Sequence, residues 1–353
     1  MPCYLDPNSC CGVPMRFLTT LLFLLSFSSI ASANCTGPNV YSSLAESERQ
    51  ALETKAAEAP FSQGLLWRAE KNGVVSHLVG TFHVHLPEHA AMVTRLEELT
   101  PQPEKVFLEL TDEDQLDFQR HLTQNPDSYL IQTGPSLIDR LGPELWDHVV
   151  VQLQERGMPP FLAARYQPWF LGMTLMLPPC AYEVVKSGKK GLDQQIAAMA
   201  KANNLPTQSL DSIDGLLTML ASDPLEEQME DLRWSLSLNT DLAAPDLMGA
   251  MVAMYLDETI QLIWEFGSAE TFKNVGDNKD KARLAQLLKQ AEDDLIVTRN
   301  TAWTEVLTKE LSKAPALVAV GALHLPGESG VLAQLQDAGF TLTRLPLDAP
   351  KNN

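Results

Sequence analysis

The chain has 353 residues, enough to bury a full core as one large domain or two ordinary ones. Hydrophobic residues at 45% and charged residues at 20% match the globular average, which excludes collagen-like, low-complexity and multi-span membrane classes. Lys plus Arg number 26 against 45 Asp plus Glu, a net charge of -19 that lacks the cationic surface nucleic acids and anionic membranes require and leaves peptides, small molecules and metal ions as partners.

After Arg16, residues 17–30 form a nearly unbroken apolar run followed by Ala31-Ser32-Ala33. The run is short for a membrane span, and small-x-small is a signal-peptidase pattern, so residues 1–33 read as a signal peptide cut after Ala33. Met15, directly before Arg16, makes a more ordinary start for that peptide than Met1. The expected product is periplasmic or secreted, with no stable membrane span. Asn34 stands where lipid attachment at Cys35 wants a small residue, so no lipid anchor is expected. Residues 1–33 carry only Asp6 and Arg16, so the net charge of -19 belongs to the mature chain. Cys35 and Cys180 are the cysteines downstream of the cut. Neither has a CxxC partner or a nearby His, so a disulfide pinning the N-terminal tail is expected over a catalytic thiol.

Residues 34–60 are rich in Ser, Ala and Glu without a strong period, and read as a leader with one short helix at most. Residues 65–71 and 74–79 flank Asn72-Gly73, a dipeptide that supplies positive φ angles, and read as a β-hairpin. The second strand runs into Gly80-Thr81-Phe82-His83. A helix follows Pro87, and residues 105–110 form an apolar strand. The middle is mostly helical, with amphipathic stretches at 143–156, 192–203 and 280–295, a short strand at 207–210, and an apolar helix stopped by Pro178-Pro179. The tail returns to a strand at 316–320, Gly321-Ala322-Leu323-His324, a helix at 329–338 and a strand at 341–345.

The two G-x-x-H segments echo one another, each following an apolar strand. Groups just past the carboxyl ends of strands line the ligand crevice of α/β sheets, so two such turns place two imidazoles across one cleft. Glu109, near the end of an otherwise apolar strand, is costly to bury without a metal or an Arg beside it. Two imidazoles and one carboxylate leave open positions on Zn, Mn or Co for a water nucleophile, which makes His83, Glu109 and His324 the candidate metal ligands. The other histidines at 77, 121 and 148 read as ordinary core or surface residues.

His85-Leu86-Pro87-Glu88-His89 matches the inverted zinc-protease pattern H-x-x-E-H, but Pro87 marks a first helical turn and leaves His85 outside the helix. Lys186-Ser187-Gly188-Lys189-Lys190-Gly191 lacks the full phosphate-loop pattern and reads as a solvated loop, and Asp193 as a helix N-cap. No G-x-S-x-G or G-x-G-x-x-G segment supports serine-hydrolase or dinucleotide chemistry.

Gly80-Thr81-Phe82-His83, the strand ending in Glu109, Gln167-Pro168-Trp169, Gly191-Leu192-Asp193, Arg299-Asn300 and the segment from Val320 to Gly327 occur in an order that resembles the TraB/PrgY/GumN family, which includes the animal Tiki ectodomains. The resemblance implies an erythromycin-esterase/ChaN-like α/β fold over residues 61–349, with a mixed central sheet flanked by many helices and a helix-rich middle insertion. It also implies a metal-dependent protease-like hydrolase using His83, Glu109 and His324, with Arg299 near a carboxylate or an oxyanion. Ser209-Leu210-Asp211-Ser212 departs from the Leu-Glu-Thr of many bacterial relatives, which puts the reach of that shorter carboxylate in question. Two other activities fit the same residues: a metal-independent, esterase-like hydrolase with a His general base, and a protein that binds a peptide or glycan without turnover.

Overall fold

The segment Ala316–Gly321 is apolar throughout and buried at every position, the pattern of a strand covered on both faces. In the computed structural model, which describes residues 35, 37–221, 223–238, 245–273, 275–276 and 278–347, it is a central strand of a mixed six-stranded sheet. The expected signal peptide and Cys3, Cys10 and Cys11 lie outside the described residues.

The chain enters through helix α1 (Glu46–Glu58), then β1 (Leu66–Lys71) and β2 (Val74–Thr81). These two strands pair antiparallel across Asn72 and Gly73, whose φ angles of 54° and 83° are those the turn needs. Helix α2 (His89–Glu97) and β3 (Lys105–Leu108) follow. The helical middle comprises α3 (Asp112–Gln124), α4 (Leu137–Glu155), α5 (Pro160–Ala163), α6 (Pro168–Met176), α7 (Pro179–Lys186) and α8 (Leu192–Ala202). After β4 (Thr207–Ser209) come α9 (Ile213–Ala221), α10 (Leu225–Ser237), α11 (Pro245–Leu256), α12 (Ile260–Lys273) and α13 (Asn278–Glu292). A π-helical segment, Asp293–Val297, carries α13 straight into α14 (Thr298–Glu310). The chain closes with β5 (Ala316–Gly321), a 3-10 turn at Ala322–His324, α15 (Val331–Asp337) and β6 (Thr341–Leu345).

The strand order is β4-β3-β5-β2-β1-β6. Strands β4, β3, β5 and β2 are mutually parallel, and β1 runs antiparallel between β2 and β6. The period of two along each strand divides the core. Val79, Val106, Leu108, Leu317 and Ala319 join one cluster with Ile196 from α8, Tyr255 from α11 and Phe266 from α12. Leu78, Phe107, Val318 and Val320 join the other, with Trp303, Leu307 and Leu332 from α14 and α15. A third cluster, including Trp146, Leu153, Leu171 and Met229, holds α4, α6 and α10 together away from the sheet.

The segment expected to be a leader contains a full 13-residue helix. Its apolar face is narrow, with Ala56 buried and Leu52 packed in the cluster that includes α12, and two ion pairs add to the contact, Lys55 on Glu265 at 2.7 Å and Lys273 on Glu48 at 2.9 Å. A disulfide joins Cys35 to Cys180 at the start of α7. It lies in a small apolar cluster with Val84, Ala181 and Val184, against which Phe82 packs, so it sits beneath the turn that presents His83. Among the described residues, no helix is long and apolar enough to cross a membrane.

Candidate active site

The parallel strands bring their carboxyl ends to one edge, where Asp211 follows β4, Glu109 follows β3, the turn to His324 follows β5 and His83 follows β2. The structure therefore gathers His83, Glu109 and His324 from three strand ends. Arg299 arrives from the first turn of α14.

Arg299 is the hub. Its Nη2 donates to Glu109 Oε2 at 2.6 Å and to Asp211 Oδ2 at 2.6 Å, and its Nε donates to Asp211 Oδ1 at 3.3 Å. Its Nη1 lies 3.2 Å from His324 Nε2, and its guanidinium stacks over Trp303 at 4.6 Å. Trp303 in turn donates its indole N–H to Asp211 Oδ1 at 2.8 Å. Asp211 thus reaches the site despite its shorter side chain: the indole and the forked guanidinium come to it.

The amide of Gly321 donates to Glu109 Oε1 at 2.6 Å. Burial opposes ionisation of Glu109, but His324, His83, Arg299 and the Gly321 amide outweigh it and hold the carboxyl down at about 2. The glycine is also a spacing requirement. A Cβ on Gly321 would stand 3.1 Å from Glu109 Oε1, 3.5 Å from His324 Cδ2 and 3.6 Å from His83 Nε2, so the three candidate groups converge on the space a side chain would fill.

The two imidazoles differ. His324 is buried, and its Nδ1 lies 2.7 Å from Asn300 Oδ1. The Asn300 amide nitrogen already donates to the carbonyls of His324 and Ser329, so its oxygen must accept and Nδ1 must carry the proton. Nε2 is left with a lone pair. Burial, with help from Arg299 and His83 and against the pull of Glu109, lowers the pKa of His324 to about 4. The His83 side chain is 63% exposed, with Nδ1 3.3 Å from Asp193 Oδ1. That carboxylate, seconded by Glu109 and opposed by Arg299, raises the pKa of His83 to about 9, and solvent around the exposed ring screens the pair.

Asp193 is not the N-cap expected from sequence. Gly191 takes that place, and Asp193 lies in the first turn of α8 facing His83. The loop read as merely solvated also holds the His83 turn against α8. A Cβ on Gly191 would fall 2.2 Å from the His83 carbonyl oxygen, and the Leu192 amide donates to the Phe82 carbonyl at 3.0 Å. The pattern H-x-x-E-H does not form a ligand pair on one helix, since His85 precedes α2 with Nδ1 near the Lys190 carbonyl while His89 is buried beside Tyr255.

Asn300, Trp303 and Asp193 were not assigned functions from sequence. Asn300 and Asp193 carry a signal in the pairs Arg299-Asn300 and Leu192-Asp193, whereas no motif marks Trp303. Among the described residues, as their side chains now stand, no three His, Cys, Asp or Glu groups enclose a metal ion.

The sequence profile of the TraB/PrgY/gumN family matches residues 65–344, from the first strand to the last. The chain belongs to the TraB/PrgY/gumN family. No curated protein and no solved structure matches it. Within this family member, the matched region covers every group of the cleft: His83, Glu109, Asp193, Asp211, Arg299, Asn300 and His324.

Proposed function

We propose that this family member is an exported hydrolase that cleaves peptides with a divalent ion held by His83, Glu109 and His324. One observation carries the reading: each histidine has Nδ1 against an acceptor outside the cleft, Asp193 or Asn300, while His83 Nε2, the edge of His324 and Glu109 Oε1 all border the space that a Cβ on Gly321 would fill. Outer acceptors of this kind fix imidazole orientation and increase the basicity of a metal-binding nitrogen. The donor set is chemically suited to Zn, Mn or Co, with Glu109 ionised and His324 presenting its lone pair at Nε2, while His83, held protonated beside Asp193, would release its proton on ligation. Arg299 now touches that nitrogen, and its Nη1 has to give way for the set to close.

A divalent ion held by His83, Glu109 and His324 would supply Lewis-acid chemistry, polarising a carbonyl and lowering the pKa of a water. The chain supplies the rest. Asp211 and Trp303 hold Arg299 at the edge of the cleft, where its positive charge offsets the negative charge that develops on the carbonyl oxygen. Asn300 and Asp193 keep both rings in place. Peptide substrates follow from the resemblance of the paired G-x-x-H turns to the Tiki proteases. The Cys35–Cys180 disulfide accords with export to an oxidising compartment.

The test is elemental analysis of protein purified without chelators, with a peptide-cleavage screen, on wild type and His324→Ala. Bound metal and metal-dependent cleavage in wild type, both lost in the variant, are expected. Negligible metal in both, without cleavage, overturns the reading. A second reading rests on the opposite pKa directions of His83 and His324, which suit metal-free acid–base hydrolysis. Cleavage that survives chelation selects it.

A further inference from the structure

Beside the cleft, on the far side of Arg299, lies a cavity of about 500 Å³ between α9 and the run from α13 through the π segment into α14. Asp211 and Arg299 form the wall it shares with the cleft. Its size is that of pockets that take a side chain or a small ligand.

The lining has two characters. Leu216, Met219 and Ala302 give apolar walls, which suit a methylene stem. Asp223 and Asp294 add two carboxylates. Asp223 is exposed and Asp294 half-buried, and neither carboxylate has a counter-ion among the described residues. The nearby cation is already committed: Arg299 has Glu109 on one side and Asp211 on the other. An anionic side chain entering here would meet uncompensated negative charge. A long cationic one would lay its stem on the apolar wall and bring its head to Asp223 and Asp294.

The geometry points to this cavity as the specificity pocket for an arginine or lysine side chain next to the bond that is cleaved. The assignment rests on the hydrolase reading for its meaning in catalysis, since Arg299 faces the carbonyl oxygen from the same wall that bounds the cavity. As a binding statement it stands independently. Asp294 lies inside the π segment and Arg299 just past it, and the i→i+5 repeat of a π turn suits their both lining the cavity from one continuous helical run.

The experiment uses one fluorogenic peptide in three forms that carry Arg, citrulline or Glu at the test position. Citrulline has nearly the shape of Arg and no charge. Wild type is expected to prefer Arg over citrulline by about five- to tenfold in kcat/KM, what one or two partly exposed ion pairs supply, and to disfavour Glu. In the Asp223→Asn, Asp294→Asn double variant the Arg-to-citrulline ratio falls toward one, through a higher KM for the Arg peptide. Wild type that cleaves the Arg and citrulline forms equally overturns the assignment and leaves the hydrolase reading in place. If none of the three is cleaved, equilibrium binding of the same peptides by fluorescence anisotropy decides. Tighter binding of the Arg form, lost in the double variant, supports the pocket while the hydrolase reading fails, and equal or absent binding overturns the pocket as well. The wild-type comparison needs no variant to fold.

Discussion

Asn300 accepts from His324 Nδ1 at 2.7 Å, and it does so because both hydrogens of its amide are spent on the carbonyls of His324 and Ser329. One buried side chain thereby sets the tautomer of the next, which is a proposed metal ligand. Asn300→Ala is expected to leave the ring free to place its proton on either nitrogen. Nitrogen NMR of His324 should show the Nδ1–H form in wild type and a mixture in the variant. Metal affinity and turnover should fall by about 10- to 100-fold, the usual effect of losing an outer partner of a ligand. An unchanged tautomer in the variant would remove Asn300 from the site's machinery.

Arg299 compensates two carboxylates that are themselves largely out of water, with side-chain exposures of 18% for Glu109 and 7% for Asp211. Arg299→Ala leaves them facing each other without their cation. The expected loss of stability is about 3–5 kcal/mol by urea unfolding, the range for breaking a buried ion pair from one side. Adding Asp211→Asn should recover part of it, which separates the structural share of the effect from any catalytic one. Arg299→Lys should be intermediate, because an ammonium cannot reproduce the fork that grips both acids. A loss below ~1 kcal/mol in Arg299→Ala would mean that solvent already compensates these acids.

The two glycines nearest the cleft should fail differently. Gly191 and Gly321 both have ordinary negative φ, at -62° and -50°, so an alanine at either is a matter of space and not of torsion. A methyl on Gly191 falls 2.2 Å from a backbone oxygen of His83, which cannot yield without parting α8 from the turn. Gly191→Ala should cost about 1–3 kcal/mol and displace His83. A methyl on Gly321 stands 3.1 Å from a carboxylate oxygen at the open edge, so Gly321→Ala should fold nearly as well as wild type and lose metal binding and activity. Thermal melts together with metal titration distinguish the two, and equal stability losses would contradict the difference in their surroundings.

What was legible in the sequence followed from local rules. The Asn72-Gly73 turn, the apolar run of β5 and the two strand-to-His turns each announce themselves within a few residues, and their pairing placed His83, Glu109 and His324 on one edge. The hub at Arg299 depends on tertiary geometry. Asp211, Trp303 and Arg299 come from β4's end and α14, and no spacing rule relates a carboxylate at 211 to an indole at 303. The helix expected at 280–295 ends in sequence terms where its period falters, but there the chain forms a π segment with no Gly or Pro to mark it and continues to Glu310. The one short helix allowed in residues 34–60 is there as α1, but its length was not legible because its apolar face is only Leu52 and Ala56, and the Lys55–Glu265 and Lys273–Glu48 pairs that add to it leave no hydrophobic period.

The acid limb of stability should be governed by histidines held neutral. His77, His89 and His324 are buried, and burial is the leading cause that lowers each pKa from 6.5 to about 4. Arg68, the cross-strand neighbour of His77 in the β1–β2 hairpin, adds to its shift, as does Arg95. Between about 4 and 6.5 the unfolded chain binds protons at these rings and the folded chain does not, so stability falls as pH drops through that window. The full effect is on the order of 3 kcal/mol per ring. Glu109, with its pKa held at about 2, loses its contribution only below 4.5 and so acts later. His83 works in the other direction: its raised pKa favours the fold below 6.5, and that contribution is lost as pH rises through about 9. Urea unfolding at pH 7.0, 5.5 and 4.5 should therefore show a steep decline, shallower in His77→Gln, which removes one proton from the difference without touching the cleft. Parallel curves for wild type and His77→Gln would show that this ring is protonated in the folded state.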